Sequence, residues 1–188
     1  EIAFVTSLLA VIDNPHQDVA LIAVLRSAAF GFTPDELSEI RVFDKKCDFY
    51  TALELSSTEN DKARAFLDTL FELRSRASDT ELSEFICYLY ERLDLMALGA
   101  AMTDPQQRTR NLSTVIELAK RFEAGSVRGL RRFNDWLQKL SERGGDMGTV
   151  SDADAVQIMT IHKSKGLEFP VVFLCDAAKQ FNEIDQRK

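Results

Sequence analysis

The chain has 188 residues, 45% hydrophobic and 28% charged, the composition of an ordinary globular domain that can bury a core without disulfides or metals. Twenty-three basic and 30 acidic residues leave a net charge of −7, which excludes a histone-like protein but leaves room for a local basic patch. Cys47, Cys87 and Cys175 are odd in number and widely spaced, which excludes a disulfide framework or zinc ribbon and fits a reducing compartment.

No apolar run reaches the roughly 18 residues of a membrane span. The first stretch is interrupted by Asp13 and Asn14 and lacks the layout of a secretory signal. A soluble, cytoplasmic chain with no membrane contact is therefore expected. None of the eight glycines lies in G-x-x-x-x-G-K-[ST], and no G-x-G-x-x-G occurs. Any phosphate cradle for nucleotide chemistry has to come from elsewhere.

Residues 2–13 are apolar up to the turn-forming pair Asn14-Pro15, predicting a first helix. A second is predicted over about 18–29, with Val19, Ile22, Ala23 and Leu25 as its apolar face and Gly31 ending it. Thr33-Pro34-Asp35-Glu36 combines a cap, a proline suited to the first helical position and a capping-box glutamate. A short helix is expected over 49–55 and a polar loop over 56–60. Ala63, Phe66, Leu67, Leu70, Phe71 and Arg74 then follow helical spacing. Ser78 and Glu81 read as a second capping box, ahead of Leu82, Phe85, Ile86, Leu89, Tyr90 and Leu93.

Residues 95–107 read as a connection. Leu112, Val115, Ile116, Ala119 and Phe122 mark a helix that stops at Gly125. Ser126 can cap another, with Val127, Leu130, Phe133, Trp136, Leu137 and Leu140 as its apolar face and Gly144-Gly145 as its stop. After residue 150 the pattern changes: 156–161 and 170–175 read as strands around the loop His162–Phe169. The expected fold is mainly α, about 150 helical residues followed by a strand–loop–strand.

Charge is uneven. Residues 1–107 carry net −10, residues 133–188 net −2, and residues 108–132 net +5. The positive stretch holds Arg108, Arg110, Lys120, Arg121, Arg128, Arg131 and Arg132 around the Gly125 junction. It reads either as a solvated helical surface or as a phosphate-contacting patch.

The densest chemistry lies in Val156–Leu174. Thr160, His162, Lys163, Ser164 and Lys165 put two hydroxyls, an imidazole and two ammonium groups within six residues. That set suits phosphate oxygens at the carboxyl end of a strand, the edge where open α/β sheets bind ligands. Gly166 permits a close backbone approach, and Glu168 can accept from a hydroxyl. A polar loop with a solvated lysine pair is the other reading of this spacing.

The string resembles motif V of superfamily 1A helicases, the UvrD/Rep group, at Val156, Ile158, Met159, Thr160, Ile161, His162, Ser164, Lys165, Gly166, Leu167, Glu168, Phe169, Val172, Phe173 and Leu174. A second block, Asp13-Asn-Pro-His-Gln-Asp-Val-Ala-Leu21 with Ala23-Val-Leu-Arg-Ser27, is similar to the AddA type of ATP-dependent helicase/nuclease. Fainter likeness runs through Asp35-Glu-Leu37, Arg110-Asn-Leu112, Arg128-Gly-Leu130 and Phe181-Asn182. Ala20 departs from the proline usual there, and residues 99–107 depart from that family's Gly-rich connection.

The resemblance implies a helical 2B-type insertion subdomain with a short strand–loop–strand piece of a RecA-like α/β domain at the C-terminus. Residues 1–28 would end the first 2A segment, 29–153 form 2B, and 154–188 return into 2A with motif V. Thr160 and His162 would face the DNA strand. Gly166 and Glu168 would face the nucleotide, with Lys163, Ser164 and Lys165 supporting the motif. Arg128, Arg131 and Arg132 become candidate duplex contacts.

The parent would use ATP and Mg²⁺, process double-strand breaks for homologous recombination, and act on single-stranded DNA and a duplex end beside a second, AddB-type subunit. This chain lacks the phosphate loop, the acidic Mg²⁺ motif, the arginine motif and the nuclease with its iron–sulfur cluster. No cofactor is expected on it, and by itself it is not expected to hydrolyse ATP, unwind DNA or cut it. The alternatives are a UvrD/Rep-type repair helicase without nuclease and a stand-alone helical DNA-binding module.

Overall fold

Residues 2–12 carry no charge, and a helix that is apolar nearly all round is stable only when surrounded by others. The computed structural model describes residues 1–125, 127–142, 156, 158–165 and 168–175, which fall into two units, 1–149 and 150–188. In the first unit the described helices are α1 (Ile2–Asp13), α2 (Asp18–Leu25), α3 (Pro34–Phe43), α4 (Phe49–Ser56), α5 (Asp61–Asp79), α6 (Leu82–Arg92), α7 (Leu95–Ala100), α8 (Pro105–Glu123) and α9 (Leu130–Glu142). α1 is the hub. It buries Val5, Leu8, Leu9, Val11 and Ile12 against α2, α5, α8 and α9.

The α1–α2 corner is held by its own polar residues. Asn14 Oδ1 accepts from the His16 N–H at 3.1 Å, and Gln17 Nε2 donates to the carbonyls of Ala10 and Asn14 at 3.3 Å each. Asp18 Oδ1 accepts from the Phe49 N–H at 2.9 Å. That tether sets the rotation of α2 and turns Leu21 and Leu25, three and seven residues on, toward the core with Val24. The expected apolar face is corrected accordingly: Val19 is 85% exposed and Ala23 lies outside. α2 also stops at Leu25 instead of continuing to 29. The Phe32 N–H returns to the Leu25 carbonyl at 2.9 Å, a reversal that Gly31 permits with φ +63.

The capping box at α3 forms in full. The Glu36 N–H donates to Thr33 Oγ1 at 3.2 Å, and the Thr33 N–H to Glu36 Oε2 at 2.7 Å. Lys62 of α5 donates to the same carboxylate at 2.8 and 2.9 Å and to the Gly31 carbonyl. One glutamate thus fixes the start of α3 and its distance from α5. Asp48 caps α4 through the Thr51 N–H at 2.9 Å and meets His16 Nδ1 at 3.2 Å. The second capping box does not form: Ser78 lies inside α5, its hydroxyl satisfied by the Arg74 carbonyl one turn back, so the helix runs on to Asp79.

Residues 95–107 are more ordered than a connection. They hold α7 and the first turn of α8, joined by sharp corners at Asp94 (φ 52) and Asp104 (φ 61), a backbone region that aspartate tolerates better than most residues. A Cβ on Gly99 would lie 3.6 Å from Leu112 and 3.7 Å from Arg108, so α7 packs closely on α8. Between α5 and α6, Tyr88 donates its hydroxyl to Glu72, Arg92 Nε reaches both oxygens of that carboxylate at 3.0 and 3.1 Å, and Arg76 lies over the Tyr88 ring.

α9 begins at Leu130, after Gly129 with φ +100. Val127 is left outside the apolar face, while Ser126 and Gly144-Gly145 lie outside the described residues. Phe133, fully buried, sits 5.4 Å from Phe122 of α8 and 5.9 Å from Trp136. Asn134 Nδ2 donates to the Leu9 carbonyl at 3.1 Å, tying α9 to the hub.

The second unit shows one helical turn, α10 (Ile161–Ser164), and no strand among its described residues. The expected strand–loop–strand is not shown by these residues. A strand is stable when its N–H and C=O groups meet a neighbour, and no neighbouring strand exists among the described residues. The Ser164 N–H instead closes on the Thr160 carbonyl at 3.2 Å. Val156, Ile158, Val172 and Phe173 remain exposed. Among the described residues of either unit, no helix is long and apolar enough to cross a membrane.

Two outcomes follow. Phe133→Ala removes a fully buried ring between α8 and α9 and should lower unfolding free energy by about 3–5 kcal/mol in urea titration. Arg92 and Tyr88 hold the Glu72 carboxyl below its ordinary value. A depressed carboxyl contributes stability above its unfolded value and loses it as pH falls through the folded one. Stability should therefore drop as pH goes below about 4.5, and Glu72→Gln should flatten that acid limb in thermal unfolding across pH.

Candidate nucleic-acid interface

The basic stretch folds into the corner between α8 and α9. Lys120 and Arg121 occupy the last turn of α8, Arg128 the connection, and Arg131 and Arg132 the first turn of α9. All five are exposed. Buried Phe122 and Phe133 clamp the corner from inside, so the charged side chains are carried on its outer surface. A Cβ on Gly125 would approach the Phe122 carbonyl oxygen to 3.3 Å, tight enough to disfavour a larger residue at the helix end.

Helix electrostatics sort these cations. Lys120 and Arg121 lie at a helix C-terminus, where positive charge is favourable. Arg131 and Arg132 lie at a helix N-terminus with no acidic residue in the first turn, where positive charge opposes the dipole. Nor do they recover that cost internally. Among the described residues, the side chains of Arg128, Arg131 and Arg132 have no hydrogen bond or ion pair.

Other arginines are used by the fold. Arg41 caps the carbonyls of Cys47 and Lys45, Arg64 the carbonyls of Ser57 and Thr58, and Arg92 pairs with Glu72. Arg108, part of the same basic stretch, pairs with Glu1 and donates to the Thr103 carbonyl. The corner therefore presents guanidinium groups free to meet an anionic surface, and Arg108 is not among them.

Sequence reasoning missed one contributor. Arg74 belongs to the stripe of α5 that reads as a packing face, yet it lines a polar pocket of about 660 Å³ that Arg131 also lines. Helical spacing placed Arg74 near the core side, but only the packing of α5 and of α9 against α1 brings Arg74 and Arg131 to one pocket.

In the second unit, Thr160, His162, Ser164 and Lys165 fall on one helical turn and its flanks. The first two and Lys165 are exposed, and the Ser164 hydroxyl turns back to the Ile161 carbonyl at 2.9 Å. Lys163 belongs to the turn. Glu168 is exposed on the far side of Gly166 and Leu167, which lie outside the described residues. No group of three or more His, Cys, Asp or Glu able to hold a metal occurs among the described residues. One carboxylate, an imidazole, hydroxyls and an ammonium suit hydrogen bonding to an anionic or sugar-bearing ligand.

A profile of the UvrD-like helicase C-terminal domain family matches residues 1–182. The chain is 42% identical over 193 residues to the ATP-dependent helicase/nuclease subunit (AddA) of Thermoanaerobacter pseudethanolicus, covering 98% of this chain and 16% of that protein. It is 40% identical over 212 residues to the AddA protein of Clostridioides difficile, covering 100% and 17%. With that of Geobacillus kaustophilus it shares 42% over 199 residues, covering 98% and 16%. The chain thus spans about a sixth of the length of these curated relatives.

The sorting of the cations makes a stability prediction opposite to that for a packing residue. Arg131→Glu with Arg132→Glu places acids in the first turn of α9 and should leave urea unfolding unchanged or raise stability by about 0.3–1 kcal/mol.

Proposed function

Because the chain belongs to the family of UvrD-like helicase C-terminal domains, we propose that it is the section of an AddA-type helicase/nuclease that links DNA grip to nucleotide state. The carrying observation is the match along 98% of the chain to the AddA helicase/nuclease. Relatives named for both helicase and nuclease favour this reading over a repair helicase without nuclease.

In this reading, the whole subunit is an ATP-driven enzyme that unwinds and degrades DNA ends during recombinational repair in the cytoplasm, beside an AddB-type partner. The α8–α9 corner contacts duplex phosphates through Arg128, Arg131 and Arg132, whose lack of internal partners supports the role. Thr160 and His162 meet the single-stranded track. Gly166 and Glu168 approach the nucleotide, Glu168 accepting from a ribose hydroxyl. ATP supplies the driving phosphoryl transfer when bound to the whole protein. These 188 residues hold no G-x-x-x-x-G-K-[ST] phosphate loop. Phosphoryl transfer is therefore assigned to residues elsewhere in the parent protein, and the isolated chain is inactive. The exposed apolar residues from Val156 to Leu174 are the surface that pairs with the remaining strands of a RecA-like domain.

The test uses the whole parent protein with its partner. Reversing Arg128, Arg131 and Arg132 should weaken duplex-end binding and reduce the slope of log affinity against log salt by about 3, roughly one for each lost phosphate contact, with single-strand-stimulated ATPase retained. Glu168→Gln should raise the ATP KM while duplex affinity stays unchanged. Equal duplex affinity in the triple variant across a salt series would refute the corner's role.

A further inference from the structure

Glu123 ends α8, and it is the one acidic residue between Arg121 and Arg128 in the sequence. A carboxylate at a helix C-terminus opposes the dipole of its own helix. Its compensation comes from α6. The Ser83 N–H, in the first turn of α6, donates to both Glu123 carboxylate oxygens at 3.3 Å each. That N–H needs an acceptor from outside, because the first N–H groups of a helix have no partner within it and Glu81 at the N-cap makes no side-chain cap bond. At the other end of the pair, the Tyr90 hydroxyl donates to the Leu112 carbonyl at 3.0 Å. α6 and α8 therefore run antiparallel and are pinned at both ends, and Glu123 is the pin at the corner.

This pin holds the last turn of α8. That turn carries exposed Lys120 and Arg121, and buried Phe122, whose ring meets Phe133 of α9 at 5.4 Å. Among the described residues, Glu123 forms no ion pair with a neighbouring arginine. It is bound instead at a helix N-terminus, where negative charge is favoured. Resting on the reading of the α8–α9 corner as a duplex contact, we propose that Glu123 is a positioning residue for that contact. By tying the end of α8 to the start of α6, it fixes where Lys120 and Arg121 meet the duplex phosphates. The role has a sign opposite to that of charge alone. Deleting an acid beside a cationic surface strengthens its attraction for DNA, whereas releasing the end of α8 weakens the contact.

The experiment titrates the 188-residue chain into a fluorescein-labelled duplex of about 20 base pairs, by anisotropy across a salt series, well below the Tm of each variant. Glu123→Ala should weaken binding about threefold and lower the salt slope by about one, as for one lost phosphate contact. It should also lower the Tm by about 2–4 °C, as for a lost helix cap. Glu123→Gln keeps an acceptor for the Ser83 N–H and loses the charge, so it should bind at least as tightly as the unsubstituted chain. Glu81→Ser puts a hydroxyl at the N-cap three residues before Glu84, the spacing of a capping box. Added to Glu123→Ala, it should restore the Tm but neither affinity nor slope, both measured against Glu81→Ser alone.

Unchanged or tighter binding by Glu123→Ala, with weakened binding by Arg128→Glu/Arg132→Glu, overturns the positioning role and leaves the corner standing. Unchanged binding by the arginine variant, or absence of salt-sensitive binding by the unsubstituted chain, overturns the corner and this role with it. Recovery of affinity together with Tm in Glu81→Ser/Glu123→Ala reduces Glu123 to a stabilising cap and overturns the proposal. If the Tm is not restored, the slope of Glu123→Ala decides, because a smaller folded fraction scales the affinity without changing the slope. An unchanged slope then refutes the role.

Discussion

The helical unit depends on the burial of α1. A segment with eleven consecutive uncharged residues, Ile2–Ile12, cannot be left facing water on more than a narrow strip. Four other helices meet it, α2, α5, α8 and α9, and through them it sets where the α8–α9 corner and Arg74 lie. The Asn134 bond to the Leu9 carbonyl is the polar counterpart of that burial, locating α9 along the hub instead of merely against it.

Around the hub, charged side chains serve two distinct purposes. Glu36, Asp48 and Glu72 are each drawn below the ordinary carboxylate range by partners that belong to the fold: chiefly Lys62 for Glu36, the Thr51 N–H for Asp48 and Arg92 for Glu72. These acids fix helix ends and spacing. The unpartnered arginines at the start of α9 do neither, and they sit where the helix dipole disfavours them. Positive charge retained against local electrostatics, while Arg41, Arg64, Arg92 and Arg108 are taken up by carbonyls and carboxylates, is the physical basis for assigning the corner to an external anion. The chain-wide net charge of −7 conceals this, because local fields are set by neighbours within about a Debye length, roughly 10 Å, more than by the sum over the chain.

The second unit illustrates the opposite dependence. Its residues carry the densest chemical signal in the sequence, yet its described backbone adopts one helical turn and otherwise exposed segments without regular structure. β structure obtains its hydrogen bonds from other strands, so a segment that reads as strand adopts that form only where a neighbour exists. A helix satisfies its own backbone internally, which is why most of the described helices of the first unit were legible locally, whereas no strand appears among the described residues of the second. The family likeness of the motif is untouched by this, since it rests on residue identities and not on the conformation of the segment.

Where a single stretch of sequence contains both the signal and the groups that satisfy it, the sequence by itself determined the outcome. α1 ended at the Asn14 turn, Thr33 and Glu36 closed their capping box, and the apolar stripe of α9 buried Phe133 and Leu137. The family, too, was written in residue order. Tertiary structure decided what depends on distant partners: the rotation of α2, set by Asp18 bonding to Phe49; the close packing of α7 through Gly99; and the shared pocket of Arg74 and Arg131. The physical reason is common to all three. Local hydrogen bonding and side-chain periodicity specify an element, while its rotation, its end point and its neighbours are fixed only when other elements compete for the same polar groups and the same buried surface.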